Sequence, residues 1–184
     1  MARALVPIAE GFEEIEAVTV IDVLRRGGVE VVTASISDRL EVRGAHGMTI
    51  TADAAFSAAG EDEYDVIVLP GGGAGTDNLR SCEPLLERLR RQRSEKRLLA
   101  AICAAPLVLV EAGVLDEEHV TCYPACQMEL DRPWRNAPVV ADGLVITGQA
   151  PGSAMLFALV VLQYVQGAAQ AGKVARAMVT DVLD

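Results

Sequence analysis

One thiol, a cluster of carboxyls and a run of glycines are the groups in this chain that could do chemistry. The thiol is Cys103, inside "KRLLAAICAAPLVLV", Lys96–Val110. The small residues Ala101 and Ala105 lie two positions either side of it. That is the spacing of a nucleophile elbow, where a strand breaks sharply into a helix and the crowded backbone admits only small neighbours. Pro106 suits a first helical turn, where its missing N–H costs nothing. A sulfur at such a turn faces free N–H groups that favour its anion and lower its pKa. The N–H of Ala104 points to where an oxyanion would form. A free cysteine in an apolar segment is also an ordinary small core residue, and spacing alone leaves both readings open.

The run Pro70-Gly71-Gly72-Gly73 follows the apolar segment "YDVIVL". It lacks the Gly-Lys-Ser/Thr ending of a phosphate loop and fits no dinucleotide fingerprint. It reads either as a flexible turn or as a site element, in which Gly72 sets its N–H beside the Cys103 sulfur. With the N–H of Ala104 that makes a two-donor oxyanion hole, and glycine supplies the positive φ and close approach required. The stretch "AEGFEEIEAV" carries Glu10, Glu13, Glu14 and Glu16. Acids in a first helical turn complement the helix dipole, which accounts for Glu13 and Glu14. Glu16 adjoins Ala17 on the inner side, where a buried carboxyl keeps its proton and can move it to or from a nearby sulfur. Periodicity does not separate Glu16 from the other three.

The remaining thiols offer less. Cys82 precedes a helix, Cys122 should alternate into the sheet, and Cys126 should lie near a turn. Cys122 and Cys126 have a loose metal-ligand spacing, but His46 and His119 stand in no zinc-type spacing with them, so no metal is expected. With no signal peptide, all four cysteines should be free thiols. The apolar run Ala154–Val165 is too short to span a bilayer. A soluble, cytoplasmic protein is expected. The formal net charge is −10, which repels phosphate backbones and makes nucleic acid an unlikely partner.

The elements that must position these groups alternate. Ala2–Ile8 reads as a strand. Glu13–Arg26 reads as a helix, with Ala17, Val20, Ile21 and Leu24 at helical spacing and Gly27-Gly28 ending it. Val29–Ile36 is the next strand. Leu40–Arg43 and Met48–Thr51 form a hairpin around Gly44–Gly47. Tyr64–Leu69 is a buried strand, Glu83–Glu95 a helix, Arg97–Ile102 a strand, Ala104–Ala112 a helix and His119–Tyr123 a strand. Val139–Ala141 and Leu144–Thr147 flank an Asp-Gly hairpin turn. Helices Gly152–Gln166 and Ala169–Leu183 close the chain. The pattern predicts one doubly wound α/β domain over residues 1–184, with ligands beyond the carboxyl ends of its strands.

Taken in order, "ALVPIAEGFEEIEAVTVIDVLRRGG", "YDVIVLPGGGAGTDNL", "AAICAAP" and "GLVITGQAPGSAMLFAL" resemble the ThiJ/PfpI superfamily over nearly the whole chain, in the branch that holds bacterial YajL and the human Parkinson disease protein deglycase. The resemblance implies a flavodoxin-like three-layer sandwich with a mostly parallel sheet, and a homodimer. It implies that Cys103 is the reactive, easily oxidised thiol, that Glu16 is the protonated acid beside it, and that the N–H groups of Gly72 and Ala104 line the site, with Gly71 next to them. It implies cofactor-free glyoxalase action on methylglyoxal, or repair of early glycation adducts on proteins, with redox sensing and chaperone action also attributed to the family. A cysteine hydrolase or peptidase is the third reading. Tyr123, before Pro124, stands where some members carry a histidine, which deprives protease-type chemistry of its base. Arg26 matches a family arginine near the pocket mouth; it equally suits a helix C-terminal cap. His46 stands where some members carry an arginine, in the hairpin that reaches the dimer partner's site; a solvated hairpin histidine is the plainer reading. Gly148 replaces a family serine, which leaves the contacts of Gln149 open.

Overall fold

The computed structural model describes residues 1–180. Strand β1 (Arg3–Ile8) is buried from Ala4 onward, and helix α1 (Glu14–Arg26) carries the chain to a parallel neighbour, β2 (Glu30–Ser35). The hairpin β3 (Glu41–Arg43) and β4 (Thr49–Thr51) stands outside the main sheet as a separate two-stranded ribbon. Strand β5 (Ala54–Ala55) extends the main sheet beyond β2, and the short helix α2 (Phe56–Ala59) follows it. Next come β6 (Val66–Leu69), α3 (Gly73–Arg80), α4 (Glu83–Ser94), β7 (Leu98–Ile102), α5 (Pro106–Ala112), α6 (Gln127–Leu130), β8 (Val139–Asp142), β9 (Val145–Gly148), α7 (Ala154–Gln166) and α8 (Ala168–Ala177).

The seven-stranded sheet has the order β5-β2-β1-β6-β7-β9-β8, parallel except for the edge strand β8. This is the doubly wound α/β domain that the alternation predicted, in the mostly parallel sandwich form that the resemblance implied. Both faces are covered, so the inner strands read as unbroken apolar runs rather than alternating ones. Strand β7 shows how one segment serves two layers. Leu98, Ala100 and Ile102 join the apolar layer of α1, α7 and α8, while Leu99 and Ala101 join the layer of α4 and α5. The order reverses beside β1: the chain moves one way to β2 and the other way to β6. That reversal opens a crevice at the carboxyl ends of the strands, where Ile8, Leu69, Ile102 and Gly148 end.

Four expectations need correction. The segment Pro70–Gly75 is not only a turn, because α3 begins at Gly73. Low glycine propensity hid this helix. It is held by packing: a Cβ on Gly75 would meet Phe12 Cα at 2.8 Å, so the bare backbones touch. His119–Tyr123 is not a strand; only Val120 bridges to Trp134. The segment opposite it contains Pro133, which has no N–H for a ladder, and the N–H of Thr121 turns instead to Thr147 Oγ1 at 2.8 Å. The helix expected from Ala104 begins at Pro106, with residues 103–105 forming a turn. The last helix ends at Ala177, and the part of that expectation beyond residue 180 lies outside the described residues.

Candidate functional site

Cys103 follows β7 directly and has φ 63, a left-handed conformation that costs a non-glycine residue about 1–3 kcal/mol. Neighbouring chain ends hold it there. Its N–H donates to the carbonyl of Gly148, the last residue of β9, at 2.9 Å, and its carbonyl accepts the N–H of Tyr123 at 2.8 Å. This turn throws the thiol toward the glycine segment after β6. Gly71 is wedged in place: a Cβ there would fall within 3 Å of Cys103 Cβ, Ile102 O and Glu16 Oε2. Gly72 has φ 92, and a Cβ there would strike the backbone of Gly11 and Glu13. Only glycine lets this loop pass between the acidic loop and the thiol.

The acidic helix start comes from the other side of the crevice. The Gly71 carbonyl accepts the N–H of Glu13 at 3.0 Å, one of the orphan donors at the start of α1. The N–H of Gly71 donates to Glu16 Oε2 at 2.7 Å. Glu16 is 1 % exposed and hydrogen-bonds the Cys103 thiol, and its Oε1 is buried without a partner of normal geometry. Burial lifts the Glu16 carboxyl to about 7, against the pull of the Gly71 N–H and of Cys103. Burial, then the charge on Glu16, pushes the Cys103 thiol up to about 12, while the N–H groups of Ala104 and Gly72 favour its anion. The lowered thiol pKa expected from the helix start is therefore reversed while Glu16 is ionised, because desolvation and a neighbouring anion outweigh two N–H dipoles.

The structure brings together Cys103, Glu16, Gly71, Gly72 and Ala104. Tyr123 and Gln149 flank them. Tyr123 is bound through its N–H and half exposed, while the Gln149 carboxamide is turned to Asn136 Oδ1 at 2.7 Å. Arg26 is not brought to Cys103. It sits ten residues beyond Glu16 on α1, roughly 15 Å along the axis, and pairs with Asp22 at 2.6 Å. His46 lies in the β3–β4 turn beside the acidic loop. Its N–H donates to Glu14 Oε1 at 2.7 Å, and its Nδ1 lies 2.9 Å from Glu14 Oε2 and 3.6 Å from Glu13 Oε1. The side chain is largely exposed.

Glu14 is the residue that sequence reasoning undervalued. It does more than complement the helix dipole: it is buried, and it accepts the N–H groups of His46 and Met48 as well as bonding the His46 ring. Its bonds to His46 and Met48 outweigh burial and hold its carboxyl below the usual range. Gly44 leaves room for it, since a Cβ there would overlap the Glu14 carboxyl. The signal was the glycine before Ala45-His46, which marks close approach but not by what. A depression lined by Met1, Asp65, Leu98 and Tyr164 lies at the opposite ends of the strands and contains no thiol.

A model described as the DJ-1/PfpI family matches residues 2–164. The Arabidopsis thaliana protein DJ-1 homolog B is 36% identical over 185 residues, 96% of this chain and 41% of that protein, so the chain spans about two fifths of that relative's length. A Pyrococcus abyssi protein named a deglycase is 35% identical over 153 residues, 82% of this chain and 91% of its own. Among solved structures, oxidized Toxoplasma gondii DJ-1 superposes with a TM-score of 0.95 at 36% identity, covering 98% of this chain and 100% of that one.

Proposed function

The chain belongs to the DJ-1/PfpI family, and from that premise we propose that it is a cysteine-dependent, cofactor-free glyoxalase or protein deglycase built as one domain over residues 1–184. The observation that carries the reading is the buried Glu16 carboxyl hydrogen-bonded to the Cys103 thiol, with the N–H groups of Gly72 and Ala104 facing the same sulfur. The acid and the thiol share their protons: two below about pH 7, one above it. In the one-proton form the charge settles where donors are. A carboxylate here would face the Gly71 N–H and the thiol, whereas a thiolate faces the N–H groups of Gly72 and Ala104 and the Glu16 hydroxyl. In this reading the better-supplied sulfur carries the charge and Glu16 keeps the proton.

In this reading the thiolate attacks the aldehyde carbon of methylglyoxal and forms a hemithioacetal. The N–H groups of Gly72 and Ala104 hold the oxyanion. Glu16 gives its proton to the oxyanion; the carboxylate so formed takes the proton from the former aldehyde carbon and returns it to the neighbouring carbon while the hydroxyl proton shifts to the neighbouring oxygen, which leaves a thioester of lactate. Water cleaves the thioester, so methylglyoxal plus water becomes lactate and the thiol is regenerated. The same attack on a glycation adduct of a protein would free the amine or thiol it had capped, the activity named for the Pyrococcus relative. Cys103→Ala should abolish lactate formation from methylglyoxal. Turnover persisting in that variant removes the mechanism.

A redox reading uses the same residues. The Toxoplasma relative was solved in an oxidized form, and a sulfinic acid at Cys103 would accept the same N–H groups and the neutral Glu16. Preferential oxygen uptake at Cys103 under mild peroxide, without turnover, would favour it. The hydrolase reading lacks a base: His46 bonds Glu14, His119 bonds Asp142, and these are the only histidines. Ile15 and Val18 on α1 and Met48 beside β4 are exposed apolar residues, and they support a homodimer through this face. No helix among the described residues is long and apolar enough to cross a membrane. A cytoplasmic location, where the four free thiols would stay reduced, belongs to the same proposal.

A further inference from the structure

A second pair of thiols, unused by the reading above, meets on the other side of the sheet. Cys122 lies two residues before the 3-10 turn Pro124–Cys126, and Cys126 is the last residue of that turn. The Cys122 thiol donates to the Tyr123 carbonyl oxygen at 3.3 Å, and the Cys126 N–H donates to that same oxygen at 2.8 Å. Both side chains belong to one apolar layer, together with Trp134. Burial and then the nearness of Cys126 raise the Cys122 thiol, while the Trp134 Nε1–H, buried with no partner of normal geometry, favours its anion. Cys122 is fully buried and Cys126 is partly exposed. Cys103 packs in the opposite layer, with α1 and α7. The two segments meet through the main chain, where the Tyr123 N–H donates to the Cys103 carbonyl, but their side chains enter different apolar layers.

We propose that Cys122 and Cys126 form a redox-active dithiol that closes reversibly to a disulfide under a peroxide-class oxidant, independently of Cys103. Exposure decides the order. The Cys126 sulfur meets the peroxide first: its attack breaks the O–O bond, releases one water and leaves a sulfenic acid. The Cys122 sulfur then attacks the Cys126 sulfur. The S–S bond forms, the S–O bond breaks, and the leaving hydroxide takes the Cys122 proton as a second water. Two thiols lose two electrons, and one peroxide becomes two waters. A buried partner two residues before a helical turn is well placed to resolve the sulfenic acid before it is oxidised further, since the turn already draws sulfur and main chain onto one carbonyl oxygen.

The test uses the folded, full-length Cys103→Ala protein, which removes the other reactive thiol and makes the outcome independent of the proposed activity. Treatment with hydrogen peroxide should lower its intact mass by two hydrogens. Peptide mapping should link Cys122 to Cys126 within one chain, and dithiothreitol should restore the starting mass. The fluorescence of Trp134, the one tryptophan of the sequence, should change and recover in step. Adding Cys126→Ser should abolish the mass loss. Retention of free Cys122 with oxygen added to Cys126, linkage of either thiol to Cys82, or no reaction at all would overturn the proposal.

Discussion

Cys103 and Glu16 make opposite demands on their surroundings, and the site meets both by burying the acid more deeply than the thiol. The raised acid has a consequence for stability. The Glu16 carboxyl moves from an ordinary 4.5 to about 7 on folding, so between those values the unfolded chain gives up a proton that the folded chain keeps. The stability that the acid–thiol pair gains by keeping both protons is complete below about pH 4.5 and drains away as pH rises to 7, by roughly 3 kcal/mol. Glu16→Gln should flatten this slope, and urea unfolding of both proteins at pH 4.5 and 7.5 would show it. An equal slope in the two proteins would mean that Glu16 ionises freely. Gly72 admits no side chain. With φ 92 and the backbone of Gly11 and Glu13 in the path of a Cβ, Gly72→Ala should cost at least about 2 kcal/mol in the same assay and push the loop, with its N–H, away from the sulfur.

At the scale of elements, the acidic start of α1 works as an anchor. It ties the β3–β4 hairpin to the crevice through Glu14, and ties the glycine loop to it through the Glu13 N–H. Glu14→Ala leaves the N–H groups of His46 and Met48 without their acceptor, at a cost of about 1–3 kcal/mol. Amide exchange at these two positions should accelerate more than at β1 or β7; unchanged exchange would show that the hairpin holds itself. The anchor also responds to pH. The hydrogen bond to Glu14, aided by the charges of Glu13 and Glu14, raises the His46 pKa above 6.5. Its contribution is full below that value and is lost as pH rises through the raised one, so hairpin exchange, corrected for its intrinsic pH dependence, should quicken over that range. Here the sequence was least legible. The strands, α1 and the cysteine turn follow from periodicity and small-residue spacing. The role of Glu14 does not, because it depends on a hairpin thirty residues away meeting a helix start.

For the whole molecule, the alternating pattern was enough to predict the parallel sheet and the crevice at its carboxyl end, since covering both faces of a sheet forces continuous apolar strands. It was not enough for α3 or for the segment His119–Tyr123. Gly75 of α3 packs its bare backbone on Phe12, a contact the sequence does not announce, and the His119–Tyr123 segment reads as apolar while its opposite number carries Pro133. The outer face of α1 is left uncovered. Ile15, Val18 and Met48 expose apolar area there, and a dimer through this face would bury it. Val18→Asp should shift the sedimentation coefficient from dimer to monomer while leaving the Cys103 turn intact. A wild-type chain that sediments as a monomer would contradict the dimer.

The reactivity of Cys103 depends on where the proton sits when Glu16 and Cys103 share one. The rate of Cys103 alkylation by iodoacetamide, followed on the Cys103 peptide across pH 5–11, reports the thiolate directly. Charge on the sulfur beside a neutral Glu16 predicts a rate that rises with a midpoint close to 7. A rate that stays low until pH 9 or beyond would place the charge on the carboxyl and contradict the account.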